Sequence, residues 1–160
     1  MKKFFIQILA LIIVAFVALS YATNNSLPKL LNLAGSNKSS KMLIDGITLN
    51  IEVANSADKR KKGLSGRESL ATSSGMLFVF DKPGFYSLWM KGMKFPLDFI
   101  WIKNKTIIDL NKNVPPQAAN LADTELPIYT PKDTIDSVLE VNSGFIDANN
   151  IKIGDTLILK

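Results

Sequence analysis

Ile47-Thr48-Leu49-Asn50-Ile51-Glu52-Val53-Ala54 sets an apolar residue at nearly every second position, and Asp45-Gly46 stands directly before it. Period two over such a run predicts a strand with one face buried. Asp-Gly between Met42-Leu43-Ile44 and this strand predicts a two-residue hairpin, because glycine accepts the positive φ that these turns require. Downstream, Ser56 suits a helix N-cap, Asp58 the first turn, Lys61 and Lys62 the last, and Gly63 the position after it. A helix of one or two turns is expected there.

Gly75-Met76-Leu77-Phe78-Val79-Phe80 is apolar without interruption and predicts a strand covered on both faces. Pro83-Gly84 suits a type II turn, with a strand expected over Phe85 to Met90. Leu97 to Ile102 and Thr106 to Leu110 read as strands joined through Lys103-Asn104-Lys105. Four prolines between Asn111 and Thr134 predict a long ordered loop. Ser137 to Val141 and Thr156 to Leu159 complete the strands, and Ser143 opens a second short helix that ends near Asn149. The fold class is therefore mainly β: an antiparallel sandwich, jelly-roll-like, or a partly open barrel, with two short helices. No alternation of strand, long helix and strand is present to build a parallel sheet.

Outside this domain, Lys2-Lys3, the apolar run Ile8 to Leu19 and the small-x-small site Ser20-Tyr21-Ala22 form the three parts of a secretory signal. The same stretch approaches the roughly 20 residues that span a bilayer, so a retained membrane anchor is the alternative. Residues 1–22 are thus read as signal or anchor, 23–41 as a flexible Asn- and Ser-rich tether, and 42–160 as one globular domain. The expected address is the periplasm or the exterior, or the inner membrane if the segment is retained. Contact with the membrane is expected only through that segment.

The chain has 160 residues, with 19 Lys+Arg against 14 Asp+Glu and neither His nor Cys. No Ser-His-Asp triad, Cys-His pair, disulfide or His-ligated zinc site can be assembled from it. Neither metal nor cofactor is expected. Without Lys2 and Lys3 the balance is 17 − 14 = +3, a mild excess. Lys59-Arg60-Lys61-Lys62 lacks interleaved aromatics and reads as a solvated helix end, so nucleic acid is not an expected partner.

Several segments occur together: Glu52-Val53-Ala54, Arg60 through Gly63-Leu64-Ser65-Gly66-Arg67, Gly75 to Phe80, Trp89-Met90-Lys91, Pro96-Leu97-Asp98, Val138-Leu139-Glu140-Val141, Gly144 and Gly154-Asp155. In this order and spacing, over about residues 47 to 158, the chain resembles the bacterial and archaeal family called domain of unknown function 192. The resemblance implies a compact, β-rich, jelly-roll-like domain that is often exported, and its biochemical activity is unassigned. Where that family usually carries Asn-Thr after Trp-Met-Lys, this chain has Gly92-Met93. Gly92 preserves backbone freedom and supplies no side chain.

The residues with chemical potential are Arg60, Arg67, Trp89, Lys91, Asp98 and Glu140. They suggest a shallow cleft in which Trp89 stacks and the basic groups hold a small polar or anionic ligand, such as an envelope saccharide. The bland reading makes Trp89 a core residue and locks the arginines to Asp98, Glu52 or Glu140 as structural ion pairs. A second reading pairs Asp98 and Glu140 as acid and base of a carboxylate-dependent hydrolase acting on envelope polysaccharide. A third is a membrane-tethered module that binds an envelope protein.

Overall fold

The computed structural model describes residues 40–117 and 121–160. The expected signal and all but the end of the tether lie outside the described residues. The domain is mainly β. Its elements are β1 (Ser40–Ile44), β2 (Ile47–Ala54), α1 (Ala57–Lys62), β3 (Ser74–Gly84), β4 (Leu97–Lys103), β5 (Thr106–Val114), β6 (Ile135–Asn142), α2 (Phe145–Ala148) and β7 (Leu157–Leu159). One seven-stranded sheet, in the order β5-β4-β6-β3-β2-β1-β7, contains all the strands. It curls until its two edges meet at one corner. There Thr106 bridges Thr156, and the Ile107 and Leu157 N–H groups donate to the carbonyls of Asp155 and Lys105. Of the forms expected, the partly open barrel is the one found.

The alternating run at 47–54 forms its strand, and Asp45 and Gly46 both take positive φ in the hairpin before it (44° and 83°). Ser56 caps α1 by accepting from the Lys59 N–H at 3.3 Å, and Gly63 ends it at φ 50°. Pairing is antiparallel except between β2 and β3, which run parallel, contrary to expectation. A parallel pair needs only enough chain to return to the strand's starting end, about a dozen residues. Here the short α1 and its turns supply it over residues 55–73.

Two other expectations are corrected. Pro83-Gly84 does not reverse the chain: β3 continues to Gly84, which pairs with Ile135 after a register shift beyond Val79. The shift leaves residues 80–83 off the ladder, where the missing proline N–H forfeits no sheet bond. Phe85 to Met90 is not a sheet strand but an arm laid over the sheet, held by the single bridge Leu88↔Tyr129.

Each face of the sheet has its own core. The concave face gathers Ile44, Leu49, Ile51, Leu77, Ile100, Ile102, Leu139 and Val141, and α2 adds Ile146. The convex face gathers Met76, Phe78, Leu97, Phe99, Trp101 and Val138, covered by Leu64, Met90 and Met93 from the connecting segments. Double coverage explains why Met76 to Phe80 of β3 and Phe99 to Ile102 of β4 are apolar without alternation. The proline-rich loop is fastened over the convex face. The Lys132 N–H donates to Asp109 Oδ2 at 3.1 Å, Lys103 pairs with Asp133, and Leu88 and Tyr129 exchange backbone hydrogen bonds at 2.9 Å.

Candidate functional site

A cavity of about 280 Å³ opens on the convex face between the end of α1 and the arm at 86–93. Phe78 and Glu140 form its floor, and Phe80, Tyr86, Leu88, Trp89 and Met93 form apolar walls. Arg60, Lys61, Lys62 and Lys91 bring positive charge to it.

Local structure accounts for this arrangement. The capped helix directs Arg60 toward β3, where its Nη1 donates to the Val79 carbonyl at 2.8 Å. That carbonyl lies at the register shift in β3. The guanidinium also rests 5.5 Å from the Phe80 ring centroid, and Phe80 stacks on Tyr86 at 3.6 Å. Across the cleft, the Gly66 N–H donates to the Gly92 carbonyl at 2.9 Å and joins the two rims. Gly92 has φ 69°, and a Cβ there would lie 2.4 Å from Ser65 Oγ. The departure from Asn-Thr therefore sits where the rims touch, and Met93 beside it lines the cleft.

Glu140 is the chemically distinctive group. It sits mid-strand in β6, across from Met76 and Phe99, and is almost fully buried. Among the described residues no side chain or backbone N–H donates to its carboxyl. Burial pushes its pKa up to about 8, so the neutral acid predominates at pH 7. A neutral carboxyl can both donate and accept a hydrogen bond. Lys91 is already engaged, 2.5 Å from the Asp123 carboxylate and 5.7 Å from the Trp89 ring centroid. Among the described residues, Arg60, Lys61 and Lys62 have no carboxylate partner.

The cleft thus unites Arg60, Trp89, Lys91 and Glu140. Two expected members lie elsewhere. Arg67 forms a bidentate pair with Glu52, at 2.6 and 2.8 Å, outside the cavity lining. The guanidinium holds the Glu52 carboxyl below its ordinary value. Asp98 is fully buried on the concave face and pairs with neither arginine. Its Oδ1 accepts from the Asn113 N–H at 2.8 Å and its Oδ2 from the Ile146 N–H at 3.0 Å. In the register of β4 and β6, Asp98 faces Val141 whereas Phe99 faces Glu140. Successive side chains alternate between faces, so the sheet separates the two acids and they cannot share one substrate.

Lys61, Lys62 and Met93 lie in the segments expected to form the cleft, Arg60 to Arg67 and Trp89 to Asp98, whereas Phe78, Phe80, Tyr86 and Leu88 are lining residues that sequence reasoning misses. Tyr86 and Leu88 shortly precede Trp89 in sequence, but only the folding of the arm across β3 reveals them as walls. Among the described residues, no group of three or more Asp or Glu is placed to hold a metal ion.

Residues 40–159 match the family model for domain of unknown function 192, described as an uncharacterized ACR. No curated protein matches the chain. The fold is similar to that of a protein of unknown function from Novosphingobium aromaticivorans, with a TM-score of 0.67 at 24% identity. That match covers 74% of this chain and 83% of the other. It is also similar to a Sinorhizobium meliloti protein whose description proposes transcription regulation, with a TM-score of 0.67 at 28% identity. Here the coverage is 75% of this chain and 92% of the other.

Proposed function

The chain belongs to the domain of unknown function 192 family, and from that premise we propose that it is an exported binding domain for a small acidic sugar held in the cleft beside Trp89. The observation that carries this reading is Glu140, a buried carboxyl that meets no donor from the protein and faces the cavity. Among the described residues no fully buried side-chain oxygen lacks a partner, so the Glu140 carboxyl reaches the cavity surface, where a ligand hydroxyl or carboxylate can take the place of water. Arg60, Lys61 and Lys62 favour an anion, while Trp89 and Tyr86 offer ring faces to the apolar side of a sugar. Separation of Asp98 from Glu140 favours binding over two-carboxylate hydrolysis. Export rests on the Lys2 to Ala22 pattern, and fractionation tests it: processing near Thr23 with release supports a soluble domain, and retention supports a tethered one.

The ligand test is calorimetric titration with glucuronate, glucose 6-phosphate, glucose and glucosamine. Acidic sugars are expected to bind at least about tenfold more tightly than glucose. Replacing both Lys61 and Lys62 by Ala should remove most of that preference. A preference for glucosamine, or no binding of either acidic sugar, overturns the reading.

A further inference from the structure

The cleft continues into an exposed apolar ridge. Leu88 and Tyr129 exchange backbone hydrogen bonds, and both side chains pack into the convex core. That pairing is an isolated bridge, and the residues next to it in sequence, Trp89 and Ile128, leave it toward the surface. They are 48% and 63% exposed. Phe85, beside the cleft-lining Tyr86, is 68% exposed, and Trp89 itself lines the cavity. Apolar side chains next in sequence to cleft-wall and bridge residues are therefore exposed beside the cleft.

Resting on the acidic-sugar reading above, we propose that the ligand is an acidic oligosaccharide, with one unit in the cleft and the following units laid across Trp89, Ile128 and Phe85. The cavity, about 280 Å³, falls at the small end of ligand pockets and has room for a unit rather than a chain. Exposed aromatic and aliphatic side chains next to a binding cleft mark surface used in recognition. Sugar rings present flat C–H faces that suit an indole or phenyl face, and the cationic rim selects a chain carrying carboxylates. A single sugar acid would leave this ridge unused.

The test is titration of the domain with galacturonate, its dimer and its trimer, in the wild type and in a Phe85→Ala/Ile128→Ala variant. Both side chains are exposed, so the variant is expected to melt as the wild type does. The wild type should bind the trimer about tenfold more tightly than the monomer. The variant should lose that gain while its affinity for the monomer is unchanged. Equal affinity for monomer and trimer, or a gain that survives in the variant, overturns the ridge and leaves the cleft reading standing. Binding of neither overturns both.

Discussion

A carboxyl group taken from water into an apolar site loses its hydration, and the protein offers Glu140 no donor in return. Its pKa of about 8 in the folded state lies above the ordinary 4.5, so the folded chain holds the extra proton between those values. Stability therefore declines as pH rises from about 4.5 and levels off above about 8, by an amount on the order of 5 kcal/mol in full. Melting temperature is expected to fall between about pH 5 and 8 in the wild type and to fall less in Glu140→Gln. The variant should be the more stable of the two above pH 8. Parallel profiles would return Glu140 to the ordinary carboxylate range. Glu52 has the opposite sign. Its lowered pKa stabilises the fold above the ordinary value, and that contribution is lost as pH falls through the folded one. The pair is about one-third exposed, so its worth is at most about 1 kcal/mol.

At the level of elements, Asp98 ties together three parts of the chain. Leu97 pairs with Val114 and Phe99 with Asn111, so Asp98 alone opposes Lys112 and Asn113. The resulting β-bulge puts Asn113 at φ 55° and frees its N–H, which Asp98 accepts along with the Ile146 N–H of α2. Asp98→Asn leaves one acceptor and turns an amide N–H₂ toward the other donor. Chemical denaturation should show a loss of about 2 to 3 kcal/mol. An unchanged midpoint would mean that α2 and the bulge hold without it. Burial of Asp98 was legible from its apolar neighbours, but its partners were not. They are backbone groups exposed by a bulge and a helix start, and no side-chain pattern announces either. The hairpin at Asp45-Gly46 and the caps of α1 were legible because each depends on residues close in sequence. The parallel pairing of β2 and β3 and the arm at 85–90 depend on contacts between distant segments. The parity of Glu140 opposite Leu139 and Val141 was plain in the same way, yet whether that face met solvent depended on the cover folded over it.

For the whole molecule, β7 is short but closes the barrel. Leu157 is buried in the concave core, β7 pairs with β1, and the bridge from Thr156 joins the far edge of the sheet. Deleting residues 156–160 removes the buried leucine, worth about 2 to 5 kcal/mol by itself, and bares the edge of β1. The truncated domain is expected to melt well below the full one and to self-associate in light scattering. A monomer with unchanged melting would show the seam to be dispensable. The pairing of β1 with β7 also joins residues 42 and 159, and the Lys160 N–H donates to the Lys41 carbonyl at 2.7 Å. Contacts between such distant positions require a large loop to close first, so they form slowly. During synthesis β1 emerges more than a hundred residues before its partner. Until the last strand is released, the nascent chain cannot complete its barrel. A sheet whose first strand must wait for the one that covers its edge thus has a built-in delay, during which β1 stays open to pairing with another chain.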